Sequence, residues 1–244
     1  MKIQIITALA LLLIFTGCTK DFDDFLEEWG IEAYKNNVCE TTTDAIYFPD
    51  HWTLEDYDSF YASNADTFQY MSACGLWETL FNQSTAYYWW TTRYYLSSNS
   101  FMPLITYFND ELETIPPAVE LFEREDCYSI LISKYIEFNT KPKEIEMYLD
   151  YFFLFLASDM CMEALNEKEK VTLMALNLQK NGIGDKYVYQ CLPLTVAIMR
   201  SCNYAPFMEN VNGHLREATF LYVNIHKHID DIQYYAKKFL NDKK

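Results

Sequence analysis

The chain has 244 residues, half of them hydrophobic, with 35 acidic against 19 basic side chains and a formal charge of −16. Such a charge excludes nucleic acid as a partner, because phosphate backbones are bound through Lys and Arg contacts, and it disfavours peripheral attachment to anionic lipid. The apolar content excludes a disordered chain, and only 6 glycines and 7 prolines argue against the many turns of an all-β fold.

The chain opens MKIQIITALALLLIFTGC. Lys2 is a minimal positive region, and the apolar run from Ile3 to Phe15 is shorter than the roughly 20 residues a permanent span requires. This is the pattern of an export signal rather than a fold element. The run ends in Phe15-Thr16-Gly17-Cys18, which resembles the lipobox of bacterial lipoproteins, with Phe15 in place of the usual Leu. The resemblance implies cleavage of residues 1–17 and lipidation of Cys18. Acyl chains contribute ~0.8 kcal/mol per buried methylene, so a multiply acylated cysteine anchors firmly. Asp21, Asp23, Asp24, Glu27 and Glu28 follow. An acidic run at this place resembles the export signal of surface-displayed lipoproteins of some Gram-negative bacteria; the plainer reading is a solvated tether. Residues 18–52 are accordingly expected to be an acidic tether, with a short helix within residues 21–37 and with Pro49 and three consecutive threonines in its irregular part. Residues 53–244 are expected to form one helical domain.

The first regular helix is expected from Thr53, a plausible N-cap with Asp56 at the positive helix end. A second is expected over Asp66 to Phe81, interrupted at Cys74-Gly75. Then comes the aromatic stretch STAYYWWTTRYYL, residues 84–96. On a helix, Trp90, Tyr94, Tyr87, Thr91, Tyr95 and Tyr88 share an arc of about 160°, as a core face requires. Trp89 falls with Arg93 on the other side. An exposed aromatic beside an arginine suits a sugar ring or a partner's side chain, so Trp89, Arg93 and also Trp77 are the candidate contact residues.

Beyond it, Pro116-Pro117 suits a first helical turn, and CYSILISKYIEF reads as a short apolar helix. Ile145, Tyr148, Leu149, Phe152, Phe153 and Leu156 form an amphipathic stripe. Asn166 with Glu169 resembles a capping box, and Asn181-Gly182 is a good stop for the helix it opens. LPLTVAIMRSC is another helix, with Pro193 expected in its first turn because an interior proline costs ~3 kcal/mol. DDIQYYAKKFLNDKK closes the chain with its lysines at the negative helix end. The expectation is an all-α protein of about nine to eleven helices, either a multi-helix array or an α-solenoid-like stack of antiparallel pairs. From residue 122 the order of segments resembles that of α-helical exported lipoproteins with no assigned activity.

Six cysteines follow Cys18: Cys39, Cys74, Cys127, Cys161, Cys191 and Cys202. An even number in an exported chain permits disulfides without dictating their pairing. Cys127 and Cys161 sit among apolar neighbours and suit small buried hydrophobes. No CxxC, GxSxG, HExxH, P-loop or GxGxxG occurs. His226, His228, Asp230 and Asp231 make the best metal-like cluster, but on a helix the two histidines diverge by ~200°, and a solvated helix end is the expected reading. Carboxylate pairs such as Asp110 and Glu113 single out no acid–base couple. The sequence therefore points to a non-catalytic protein without metal or cofactor. It is expected to be anchored to the outer membrane through Cys18, with surface exposure as one option, and to bind a protein partner there. A surface glycan-binding lipoprotein and an immunity-type protein against a basic toxin are the alternatives.

Overall fold

The ends of the helices are set by local chemistry that can be read residue by residue. A computed structural model describes residues 22–35, 39, 44–47, 54–81, 108–110, 112–140, 149–179, 182–216 and 228–244. Among these residues the fold is all-α, with thirteen helices and no strand.

Helix α1 (Phe22–Glu28) is followed by a 3-10 turn, Glu32–Lys35. Gly30 ends α1 at φ +65°, donating to the Glu27 carbonyl while Ile31 donates to that of Leu26, both at 2.9 Å. This is a Schellman end, which needs a left-handed residue and so favours glycine. Leu26 and Ile31, the hydrophobic pair of the motif, are both buried in the main core. Residues 22–35 are therefore part of the domain and not a free tether, which corrects the expectation for residues 18–52. The sequence shows an apolar stripe here, Phe22, Phe25, Leu26 and Trp29, but gives no sign of what it packs against.

Helix α2 (Leu54–Phe68) and α3 (Ala73–Phe81) are separate helices. The break lies at residues 69–72 rather than at Cys74-Gly75. The Asp44 carboxylate accepts from the Ser72 N–H and hydroxyl, and the Ser72 hydroxyl accepts from the Gly75 N–H at 3.0 Å. Ser72 thus caps α3. Gly75 is required for room, since a Cβ there would stand 2.3 Å from Asp44 Oδ1. A disulfide joins Cys39 to Cys74 and ties the preceding irregular segment to the same helix start.

Helix α4 (Pro116–Glu123) begins with both prolines in its first turn, as expected. It leads to α5 (Cys127–Thr140) and, further on, α6 (Leu149–Leu156). Ile145 and Tyr148 lie outside the described residues. The stripe expected for α6 is too narrow: Tyr151, Leu154 and Phe155 are buried as well as Phe152, Phe153 and Leu156, so the helix is enclosed on all sides. Helix α7 (Asp159–Ala164) is capped by Ser158. Helix α8 (Glu167–Asn177) opens with the Asn166–Glu169 capping box and ends a turn before Asn181.

Helix α9 (Ile183–Lys186) is a single turn before α10 (Val188–Ser201). Pro193 lies inside α10, not in its first turn. A one-turn helix abuts α10, so the helix starts four residues earlier than the apolar run suggests. Asn203 closes it at φ 46°, with Tyr204 donating to the Met199 carbonyl and Asn203 to that of Arg200, the asparagine version of the Schellman end. Ala205–Phe207 (α11), a π-helical segment Met208–Asn212, and Gly213–Arg216 (α12) follow without a break, and α13 (Ile229–Lys243) ends the chain.

Helix α10 is central. It packs against α6, α7, α8, α9 and α13. In the other half, α4 packs against α2, α3 and α7, and the 3-10 turn packs on α5. An aromatic cluster fills the space between them. Trp77 stacks on Phe81 at 3.9 Å and meets Phe152 and Phe155 edge-on at 6.0 and 5.9 Å; Phe138 meets Phe152 at 4.5 Å. Each such pair adds about 0.5–1.5 kcal/mol beyond area burial. A buried polar knot joins α5, α8 and α10. Tyr135 donates to Asn177 Oδ1 at 2.8 Å, and Asn177 Nδ2 donates to Thr195 Oγ1 at 2.7 Å. Among the described residues no helix is long and apolar enough to cross a membrane.

Candidate functional site

Three of the residues singled out by sequence, Cys18, Trp89 and Arg93, lie outside the described residues. Trp77 does not belong to a contact surface. It is 2% exposed and is walled in by the rings of Phe81, Phe138, Phe152 and Phe155. Every residue of α3 except Cys74 is buried, so no face of that helix is left to present an indole. His228 pairs with Asp231 at 3.5 Å within one helix start, and His226 lies outside the described residues. Among the described residues no three His, Cys, Asp or Glu side chains converge as metal ligands do. Asp110 and Glu113 are both exposed.

The structure instead brings together a cleft of about 540 Å³ that the sequence does not announce. One wall is a single face of α10: Pro193, Val196, Ala197, Arg200 and Ser201, at i, i+3, i+4, i+7 and i+8. The opposite wall is the junction of α6 and α7, with Ala157, Asp159, Met162 and Glu163, joined by Asn109 and by Lys170 of α8. Small side chains at Ala157, Ala197 and Ser201 leave the space between the walls unfilled. Because α10 carries an interior proline, its N–H ladder is interrupted on the face that lines the cleft.

The polar groups of this cleft are held by local hydrogen bonds. Ser158 accepts from the Cys161 N–H at 3.2 Å and donates to the Phe155 carbonyl at 2.7 Å, which sets the turn between α6 and α7. Asn109 grips the first residue of α7 from both sides. Its Nδ2 donates to Asp159 Oδ2 at 2.7 Å, and its Oδ1 accepts from the Asp159 N–H at 3.1 Å. Arg200 Nε donates to Asn212 Oδ1 at 2.6 Å. Asn212 is buried in the π-helical segment, so the wider turn there sets the direction of the guanidinium; such segments recur at functional sites. Ser201 donates to the Ile198 carbonyl at 3.0 Å. The result is a concavity lined by two cations, Lys170 and Arg200, and two anions, Asp159 and Glu163, of which Arg200 and Asp159 are held in place by Asn212 and Asn109.

The buried cysteines near it are not activated. The Cys161 thiol is fully buried, and desolvation first, then the neighbouring Cys127, pushes it well above its usual range. A thiol so shifted stays protonated and unreactive at neutral pH. Burial likewise raises Cys127 and Cys191 to about 12. A smaller cavity of about 260 Å³ sits over the Asn177 knot, with Cys191, Asp185, Gln233 and Lys237 among its lining residues. Its thiol donates to the Gly184 and Val188 carbonyls at 3.2 Å and is held as a packing group. Sequence reasoning missed the cleft because its residues come from four separate segments. The one signal available was the mixed face of α10, small and polar where the opposite face is Leu and Ile.

No protein-family profile, curated protein or solved structure matches the chain.

Proposed function

We propose that this chain is a lipid-anchored protein of the bacterial envelope. It is carried by Cys18 in the outer membrane or displayed at the cell surface, and it works by binding a protein partner rather than by catalysis. The leader through Cys18 supports the anchor. The observation that carries the binding role is the cleft, lined by Lys170 and Arg200 with Asp159 and Glu163, in which Arg200 is held by Asn212 and Asp159 by Asn109. A concavity with charges of both signs suits a partner segment that is itself charged in both senses, and pre-set polar groups lose little entropy on binding. No aromatic ring is among its lining residues, so the cleft lends nothing to a sugar-stacking role.

The test has two arms. In producing cells, the intact protein should float with membranes and Cys18→Ala should not. A photo-crosslinker at Glu163 should then give a discrete adduct that disappears in the Arg200→Glu and Lys170→Glu variants. Equal adducts in all three proteins would remove the cleft from the binding role. A soluble, unacylated wild type would remove the anchor.

A further inference from the structure

The anchoring cysteine and the folded body are separated by very little chain. Helix α1 begins at Phe22, four residues after Cys18. Four residues reach about 14 Å at full extension. The polar layer on each side of a bilayer is about 5–8 Å thick, half the difference between a whole membrane and its hydrocarbon core. A lipid-bearing Cys18 therefore keeps the start of α1 within about one to two head-group layers of the hydrocarbon.

Helix α1 is not free to swing away. Leu26 is fully buried and Ile31 nearly so. Lys35 pairs with Asp23, and Lys244 at the end of the chain pairs with Glu28. The Lys244 ammonium also stands 5.2 Å from the centre of the Trp29 ring. Helix α1 and the residue that follows α13 thus meet at one place on the body. On α1 and the residue just after it, Phe22, Phe25 and Trp29 form a ladder, with ring centres 6.2 and 6.1 Å apart. All three are packed against the core yet only half-buried. Aromatic rings with part of their surface exposed, tryptophan above all, favour the head-group level of a bilayer.

We propose that the Phe22–Phe25–Trp29 ladder rests in the head-group layer of the membrane that carries the Cys18 lipid, so that the body is held against the bilayer by one fixed face. This rests on the reading of Cys18 as the lipidated residue. The lipid surface that fits is zwitterionic, because Asp21, Asp23 and Asp24 stand beside the ladder in the sequence and repel anionic head groups.

The experiment uses residues 18–244 with Cys202→Ser, coupled at Cys18 through a maleimide to a phospholipid in phosphatidylcholine vesicles. The other unpaired thiols, Cys127, Cys161 and Cys191, are buried. A nitroxide on the lipid head group is the quencher, and Trp29→Phe isolates the Trp29 emission. The expected result is at least a twofold loss of the Trp29 emission. Inserting about 15 Gly/Ser residues after Lys20, an r.m.s. span of about 22 Å, should reduce that quenching severalfold. No Trp29-dependent quenching overturns the proposal, and so does quenching that ignores the insertion. Mass spectrometry of protein extracted from cell membranes reads the lipid separately. An unacylated Cys18 there defeats the lipoprotein reading, whereas absent quenching in the coupled protein defeats the docking geometry.

Discussion

Asn177 is the side chain whose loss the structure prices most clearly. It is 1% exposed, and its amide is bonded on both sides: Tyr135 donates to the oxygen at 2.8 Å, and the nitrogen donates to Thr195 at 2.7 Å. Asn177→Ala leaves the fully buried Tyr135 hydroxyl without its acceptor, which costs about 1–3 kcal/mol. It deletes the bond to Thr195, about 1 kcal/mol, and opens a small void that adds about 1 kcal/mol. The sum is about 3–5 kcal/mol. For a domain of this size each kcal/mol moves Tm by about 2–4 °C, so the expected drop is about 6–20 °C. Tyr135→Phe alone should cost about 1–2 kcal/mol. The two changes share one bond, so the double variant should fall short of the sum by about 1–2 kcal/mol. Burial holds the Tyr135 hydroxyl well above the usual tyrosine range, so it remains a donor, and the effect should not vary between neutral pH and pH ~10. Urea unfolding of the four proteins measures this. A loss under about 1 kcal/mol for Asn177→Ala, or additive single changes, would falsify the account of a shared buried knot.

Three further outcomes are expected. Cys74→Ser opens a loop of 35 residues, for which chain entropy gives a loss of about 3–4 kcal/mol; a reductant should lower the Tm of the wild type and leave the variant unchanged. Asn166→Ala removes the side-chain half of the capping box on α8, the acceptor of the Glu169 N–H at 3.1 Å, and should cost about 1 kcal/mol, with faster amide exchange confined to the first turn of that helix. Desolvation raises the Glu78 carboxyl above the ordinary carboxylate range despite Lys134 at 3.6 Å. The native state therefore keeps this proton to higher pH than the unfolded chain does. That one group makes stability fall as pH rises from the ordinary carboxylate pKa through its own. Glu78→Gln should remove this contribution, so that stability of the variant falls less, or rises more, over the same interval; parallel pH profiles would show that Glu78 titrates normally.

Much of this protein was determined by short-range chemistry and is legible in the chain. Pro116-Pro117 starts α4 and Asn166 with Glu169 starts α8 because caps and prolines act on their own neighbours within a turn. The all-α class follows from the apolar spacing and the shortage of turn residues, properties that do not depend on which helix meets which. The tertiary structure decided the rest, wherever a residue's role depends on a group far along the chain. Asp44 reaches Ser72 across 28 residues and moves the helix break away from Cys74-Gly75. Trp77 is enclosed by rings that follow it by up to 78 residues, so an aromatic that reads as a contact residue is core. Pro193 stands inside α10 because a preceding turn begins the helix early. The cleft joins α10 to the α6–α7 junction, to α8 and to Asn109, and helix α1 is part of the body because Leu26 finds a buried place there and Lys244 finds Glu28. Local propensity names the elements; burial and long-range pairing, which no window of sequence contains, assign their faces.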